Sequence, residues 1–177
     1  MRIVSGKYRG KKLKEFDISS TRPTLDRVKE SIFNLIQFEV ADAVVLDLFA
    51  GTGALGIEAV SRGAKITYLI DNNPKAIKLI KDNLKGIDGD YSVQQIDAME
   101  FLRDNHETFD IVLLDPPFAS DLGVRAIDYL IENERLSDNG IIIFETSMDK
   151  EFDFAYPGYS LVKKKYGTVA VYKIMKD

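Results

Sequence analysis

The sequence predicts an α/β fold built on an open, largely parallel sheet with helices on both faces. From residue 43 onward, short apolar runs of strand length alternate with segments of helical spacing, as in successive βα units. The first apolar run ends in Asp47 and passes through the loop 51–56 (G-T-G-A-L-G) into a helical segment, the layout of the first β-loop-α unit of such a sheet. Near the end of the chain, two β-rich runs are separated by Gly167 with no room for a crossover helix, so they must pair as an antiparallel hairpin.

The individual elements are expected in the following order. Residues 1–15 alternate apolar and basic side chains around Gly6 and Gly10, which predicts a short β-hairpin with a cationic exposed face. Residues 19–23 form a linker, and Thr24 is the expected N-cap of a helix whose apolar face comprises Leu25, Val28, Ile32, Leu35 and Ile36. Strands are then expected at about 44–48, 66–70, 91–96, 109–114 and 140–145, helices at about 54–62, 74–85 and 122–133 with a short one before 109, and the closing hairpin at 159–166 and 168–175.

Composition limits the class of protein. A chain of 177 residues that is 45% hydrophobic and 29% charged can build one well-buried core and is too short for two ordinary domains. The absence of cysteine excludes disulfides and thiolate metal sites, and the single histidine, His106, excludes most imidazole sites. The sequence has neither an apolar run of the ~18 residues that a membrane span needs nor a signal-peptide core. We therefore expect a cytoplasmic protein with neither a metal nor a membrane partner.

Charge is distributed unevenly along the chain. The net charge is −4, but residues 1–29 carry nine Lys and Arg against three acids, a local charge of +6, and the remainder carries 15 basic against 25 acidic residues, or −10. An acidic body with a basic arm is typical of a protein that lays the arm along phosphates. A solvated basic hairpin without a nucleic-acid partner is the alternative.

The glycine loop predicts a nucleotide-type cofactor. The loop 51–56 satisfies G-x-G-x-x-G, and Asp71 follows Gly51 by 20 residues at the end of the second strand, where a carboxylate can accept ribose hydroxyls. These features fit NAD and S-adenosylmethionine equally, and a loop that only turns the chain is a third possibility. Asp47 favours S-adenosylmethionine, because a carboxylate at the mouth of the pocket repels a pyrophosphate and attracts an ammonium or a sulfonium.

Asp97 directly follows the third expected strand. Its carboxylate could accept a hydrogen bond from the exocyclic amine of an adenine, or it could cap the short helix that follows, or both.

The tetrapeptide Asp115-Pro116-Pro117-Phe118 follows the apolar strand 109–114. Two prolines cannot continue a strand, so they fix a turn in which the Asp115 carboxylate and the Pro116 carbonyl can hold the two N–H groups of a planar amine, with Phe118 stacked on its ring. Such acceptors free the nitrogen lone pair for attack, and alignment with a methyl donor supplies most of the rate. A turn that merely ends the strand is the alternative.

These motifs in this order resemble a class I S-adenosylmethionine-dependent methyltransferase of the type that methylates amino groups. The motifs are Asp47 to Gly53, Asp71, Asp97 and Asp115 to Phe118. The fold implied is a Rossmann-like seven-stranded sheet whose last strand is antiparallel, which suits the hairpin at Gly167. The runs 2–13 (RIVSGKYRGKKL) and 21–34 (TRPTLDRVKESIFN) narrow the resemblance to the bacterial 16S rRNA guanine-N2 methyltransferase family, over nearly the whole chain.

The resemblance implies methyl transfer from S-adenosyl-L-methionine to the exocyclic N2 of a guanine in 16S rRNA, either naked or in an assembling small subunit. It implies a catalytic turn of Asp115, Pro116, Pro117 and Phe118. The implied cofactor site comprises Arg22, Thr24, Asp47, Phe49, Gly51, Gly53, Asp71, Asn72, Asp97 and Ala98. The implied RNA contacts are Arg2, Lys7, Arg9, Lys11 and Lys12, in an N-terminal extension (1–20) that precedes the methyltransferase domain (21–177).

Four alternatives and one ambiguous cluster remain. A dinucleotide-dependent oxidoreductase would share the glycine loop but has no use for the turn at Asp115, and a non-catalytic RNA-binding module would need only the basic arm. DNA adenine-N6 and protein glutamine methyltransferases use similar turns, but this chain has no separate target-recognition domain. Residues Lys163, Lys164 and Lys165 either extend the phosphate-binding face or guard an edge strand against aggregation.

Overall fold

The computed structural model describes residues 1–16 and 23–177. Most of the expected linker, including Arg22, lies outside the described residues, as do the side chains of Thr24 and Leu25. The helices are α1 (Pro23–Leu35), α2 (Ala54–Ser61), α3 (Pro74–Asn83), α4 (Ala98–Asp104) and α5 (Leu122–Glu132). The strands are β1 (Val44–Asp47), β2 (Ile66–Asp71), β3 (Tyr91–Gln95), β4 (Phe109–Leu114), β5 (Leu136–Ser147), β6 (Tyr159–Tyr166) and β7 (Val169–Lys176).

The strands form one seven-stranded sheet in the order β3-β2-β1-β4-β5-β7-β6. Strands β1 to β5 run parallel to one another, whereas β7 pairs antiparallel with both β5 and β6. Gly167 makes the β6–β7 turn with φ 59°, a conformation that favours glycine. The predicted sheet, with its last strand antiparallel, is therefore confirmed. In the part of the chain that the structure describes, no helix is long and apolar enough to cross a membrane.

Two element boundaries differ from the sequence prediction. Helix α1 begins at Pro23, so Thr24 lies in the first turn rather than at the N-cap; proline is favoured at that first position because its φ is already helical. Strand β5 begins at Leu136 rather than near residue 140, because Leu136 pairs with Phe109 before an irregularity in the β4–β5 ladder. The polar residues that follow Leu136 have low β propensity, which hides this part of the strand.

The core occupies both faces of the sheet. Neighbouring residues of β1 show this: Leu46 packs with α4 and α5 on one face, and Val45 packs with α1 on the other. Helices α2 and α3 extend the second face. Because β4 is covered on both sides, five of its six residues are buried and its sequence is continuously apolar apart from Asp110.

The N-terminal hairpin, residues 1–13, is less regular than expected. The Ile3 N–H donates to the Lys11 carbonyl (2.9 Å) and the Leu13 N–H to the Met1 carbonyl (2.9 Å), but the strands share only the bridge between Arg2 and Lys12. Ile3 and Leu13 are buried among side chains of α2 and α3. The hairpin is thus held by its packing on these two helices and by hydrogen bonds from its backbone to α2.

Candidate active site

A cavity of about 500 Å³ opens at the carboxyl ends of the parallel strands, a size within the range of small-molecule sites. Acidic side chains at strand ends line it: Asp47 (β1), Asp71 (β2), Asp97 (after β3), Asp115 (after β4) and Glu145 (in β5). The carboxyl ends of parallel strands meet at one edge, where open α/β sheets bind their ligands. The cavity therefore brings together the four acids that the sequence singled out and adds a fifth.

Asp71 fixes the glycine loop on the end of β2. One of its carboxylate oxygens accepts the Gly51 N–H (2.9 Å), and the other accepts the Asn73 N–H (2.9 Å). Gly51 and Gly53 have φ of 55° and 82°, so the loop needs residues without a Cβ at both positions. Each carboxylate oxygen retains a second lone pair for a ligand hydroxyl.

Asp47 is almost completely buried beneath the loop, with 1% of its surface exposed. Its Oδ2 accepts the Gly56 N–H (2.8 Å), and its Oδ1 has no hydrogen-bond partner among the described residues. Burial raises the pKa of Asp47 to about 7, against the opposing Gly56 hydrogen bond and with smaller contributions from the Asp115 and Asp71 charges. A buried carboxylate with a free oxygen is a site for a cation or a hydrogen-bond donor.

Asp97 caps helix α4 while lining the cavity. Its Oδ1 accepts the N–H groups of Met99 (3.0 Å) and Glu100 (3.0 Å). The predicted capping role is confirmed, and the other carboxylate oxygen remains for a ligand.

The turn that follows β4 lines the same cavity. Asp115 is reached by solvent from within the cavity although protein surrounds it on most sides, and this burial raises its pKa to about 6. Pro116 is buried against the start of α5: a Cβ added to Gly123 would lie 2.9 Å from the Pro116 ring and 2.4 Å from the Phe144 ring. The Lys150 ammonium donates to the Ser120 carbonyl (3.1 Å), which holds the end of this turn from the segment after β5. Asp115 is thus presented by a tightly packed support.

Comparisons with known proteins agree with this geometry. Residues 1–175 match the family profile described as "Conserved hypothetical protein 95". Ribosomal RNA small subunit methyltransferase D of Haemophilus influenzae is 34% identical over 100% of this chain and 94% of its own length, and the Escherichia coli protein of that name is 35% identical over 98% and 88%. The solved structure of yhhF from Escherichia coli, 35% identical, has a TM-score of 0.89 and covers 100% of this chain and 98% of its own.

The chain belongs to the rRNA small subunit methyltransferase D family. The cofactor residues implied for this family fall largely in the cavity. The described members that line it are Asp47, Phe49, Gly51, Asp71, Asn72, Asp97 and Ala98. Gly53 lies just outside the lining as the N-cap of α2. Arg22 and the Thr24 side chain lie outside the described residues, so their implied roles remain predictions.

The catalytic turn implied for the methyltransferase D family is only partly in the cavity. Asp115, Pro116 and Pro117 line it, whereas Phe118 is 38% exposed and is not part of the lining. The stacking role of Phe118 remains a prediction.

The basic residues predicted to contact RNA differ in exposure and in their contacts within the protein. Arg2, Lys7, Arg9 and Lys12 are exposed. Lys7 lies 3.9 Å from Asp88, a separation at which an exposed pair contributes little. Lys11 is half-buried, and its ammonium donates to the Lys85 carbonyl, so it is the least available of the set.

Sequence reasoning missed three charged residues near the site. Glu58 is fully buried in α2, and Lys29, which is 2% exposed, reaches it from α1 with 3.1 Å between Nζ and the carboxylate. Lys29 also lines the cavity. Glu145 ends an apolar run just as Asp47 and Asp115 do, so its position carried a signal that could have been used. Nothing in the sequence pairs Lys29 with Glu58, because the two are far apart in the chain.

Proposed function

We propose that this chain transfers a methyl group from S-adenosylmethionine to the N2 amino group of a guanine in 16S rRNA. The observation that carries the proposal is the shared cavity: Asp115, in the turn that can hold an amine, lines the same space as the glycine loop and Asp47. The names of the relatives support methylation of small-subunit rRNA. The guanine and its N2 atom rest on the resemblance and on the chemistry of the turn. An rRNA substrate would place the enzyme in the cytoplasm.

The cavity suits a cofactor that carries positive charge. Five carboxyl groups line it, and the basic side chain that lines it among the described residues, Lys29, is paired with Glu58. S-Adenosylmethionine supplies an electrophilic methyl group on a sulfonium. Asp47 would face its positively charged end and Asp97 its adenine, each through a carboxylate oxygen without a partner among the described residues. Asp71 would face the ribose through the second lone pairs of its two oxygens, both of which already accept a backbone N–H.

The residues of the turn after β4 would prepare the amine. The Asp115 carboxylate would accept one N–H of the guanine amino group and the Pro116 carbonyl the other, which orients the lone pair toward the methyl donor. Because the two prolines and the packing of Gly123 hold this turn, little reorganisation is needed at the moment of transfer.

Two basic surfaces flank the cavity and support a polyanionic substrate. The N-terminal hairpin packs on α2 and α3, beside β1 to β3. At the other end of the sheet, Lys163, Lys164 and Lys165 are exposed near the carboxyl end of β6. The register places Lys164 beside Val171, and Val171 beside Glu145, at the level of the cavity. Since Glu145 adjoins Asp115, three strand spacings of ~4.8 Å put Lys164 about 14 Å from Asp115.

The decisive experiment supplies labelled S-adenosylmethionine and small ribosomal subunits that lack the modification, and then maps the labelled nucleotide. We expect one labelled guanine, methylated at N2. Asp115→Ala should lower turnover by about 10²-fold or more while leaving the affinity for S-adenosylhomocysteine nearly unchanged. Asp121→Ala is the matched control, because Asp121 follows the same turn but its side chain is 77% exposed, and it should keep full activity.

Other labelled products would refute the proposal in distinct ways. Label at another atom of rRNA would contradict the guanine-N2 assignment. Label in DNA or protein, with none in the subunit, would contradict the rRNA substrate. Full turnover of Asp115→Ala would contradict the role given to the turn.

A further inference from the structure

Glu145 is an acid within the cavity that contacts neither the cofactor nor the amine in the proposed function. It lies near the end of β5, is 6% exposed, and lines the cavity. Its carboxylate has no hydrogen-bond partner among the described residues. Unlike Asp47, Asp71 and Asp97, it caps no loop or helix there. Because this carboxylate lines the cavity and has no partner in the described part of the chain, it is available to a donor on a bound ligand.

The strand register places Glu145 directly beside Asp115. Leu114 pairs with Phe144 in the parallel β4–β5 ladder, so the next residues of the two strands, Asp115 and Glu145, are neighbours across a strand spacing of ~4.8 Å. The two carboxyl groups also interact electrostatically. Burial, together with a smaller contribution from the Asp115 charge, raises the pKa of Glu145 to about 8. The cavity therefore presents two adjacent acceptors on one wall.

Two adjacent acceptors match one edge of guanine. Guanine carries a hydrogen on N1 next to its 2-amino group, so the edge offers neighbouring donors. Adenine, by contrast, has an unprotonated N1 next to its amino group and presents an acceptor there. A carboxylate beside the residue that holds the amine accepts a hydrogen bond from guanine N1–H. With adenine, the same carboxylate would face the lone pair of N1 and form no hydrogen bond.

We propose that Glu145 accepts the hydrogen bond from guanine N1–H, beside the amino group held by Asp115, and thereby selects guanine as the base. This inference rests on the proposed function. Donation from N1–H favours the ionised form of Glu145, and a positively charged cofactor in the same cavity acts in the same direction. The Lys29 ammonium of α1 does not act as the donor to Glu145, because it is bound to Glu58 (3.1 Å) and to the Arg2 carbonyl.

The test compares two bases at the mapped position in subunits reconstituted with semisynthetic 16S rRNA. One base is guanine and the other is 2-aminopurine, which keeps the 2-amino group but has an unprotonated N1. Assays run at about pH 8, because at higher pH guanine itself begins to lose the N1 proton, and the positive charge of the bound cofactor favours the ionised form of Glu145. The wild-type enzyme should prefer guanine by about 10²-fold or more in kcat/KM, since a site built for a donor rejects the analogue that lacks it.

Glu145→Gln should reduce that preference to about 10-fold or less, because the amide can rotate a donor toward N1 of 2-aminopurine. Asp115→Asn is the matched control: it should slow both substrates alike and leave their ratio unchanged. If the Gln variant does not fold, Glu145→Asp, which withdraws the carboxylate, should also narrow the ratio.

Each outcome bears on one claim. Wild-type enzyme that methylates guanine and 2-aminopurine equally well overturns the inference without any variant. An unchanged ratio in Glu145→Gln, with normal melting and normal binding of S-adenosylhomocysteine, overturns it as well. In both cases methylation of guanine by the wild type leaves the proposed function standing. Failure of the wild type to methylate any guanine amino group overturns the proposed function itself.

Discussion

Replacing Glu58 should reveal how strongly the N-terminal hairpin is joined to the fold. The Glu58 carboxylate is 0% exposed, accepts the Val4 N–H (2.9 Å) and the Ser5 N–H (3.0 Å), and pairs with Lys29 (3.1 Å) and Arg62 (2.9 Å). Glu58→Gln keeps the shape of the side chain but removes the negative charge that balances Lys29. Burial already lowers the pKa of Lys29, so its charged form depends on the Glu58 carboxylate. Breaking a buried ion pair on one side costs about 3–5 kcal/mol, which for a domain of this size lowers Tm by about 6–20 °C.

The assay is urea unfolding of a double-mutant cycle at pH 7. Lys29→Met removes the partner charge and keeps the length of the side chain. If the 3.1 Å pair is the source of the loss, the double variant should be less destabilised than the sum of the single variants by about 2 kcal/mol. Additivity within about 0.5 kcal/mol would refute this reasoning. Hydrogen exchange at Val4 and Ser5 should accelerate in Glu58→Gln, which separates loss of the hairpin contact from a general loss of stability.

Three further predictions follow from particular positions. Gly6 and Gly10 have similar φ values of 85° and 88°, but a Cβ at Gly6 would lie 1.9 Å from a carbonyl oxygen of α2, whereas a Cβ at Gly10 would touch nothing. Gly10→Ala should therefore lower the free energy of unfolding by about 1–2 kcal/mol, and Gly6→Ala should lower it clearly more. Thermal unfolding of the two variants measures the difference. Since the native pKa of Glu145 is raised from 4.5 to about 8, its contribution to stability is present below pH 4.5 and lost as pH rises to about 8. Urea titrations of Glu145→Gln should therefore show a flatter fall in unfolding free energy across that window; an unchanged slope would contradict the assignment. Lys164→Glu should raise KM for the small subunit and reduce its salt dependence, whereas Lys65→Glu, exposed at the opposite edge of the sheet, should change neither.

The fold was largely predictable because local signals coincide with the sheet. Strands of this class are buried on both faces and read as apolar runs, and β4 was predicted with its observed bounds, Phe109–Leu114. The start of β5 was not predictable in this way, since Leu136 joins the sheet by pairing with Phe109 rather than by its own sequence pattern. The regularity of the hairpin was overestimated because Gly6 and Gly10, at positive φ, interrupt the ladder that alternation alone suggests.

In the candidate site, as in the fold, some residues were predictable from local sequence signals and others were not. Acids that end strands could be placed from the sequence, because chain topology alone brings the carboxyl ends of parallel strands together. Glu145 obeys that rule but was overlooked, since its strand carries no glycine or proline motif to draw attention to it. The pairing of Lys29 with Glu58 depends on how α1 packs across α2, which no local pattern encodes.

The division of charge within the molecule explains how one chain could bind both a cation and a polyanion. Carboxyl groups line the cavity at the ends of β1 to β5, and they would repel any phosphate that approached it. Two groups of exposed lysines lie to either side, in the hairpin beside β1 to β3 and on β6. Under the proposed function, the RNA backbone would be held at these flanks while only a neutral base could enter between them. The acidic cavity would then serve as a filter as well as a cofactor site, so a net charge of −4 is compatible with a substrate that is itself an anion.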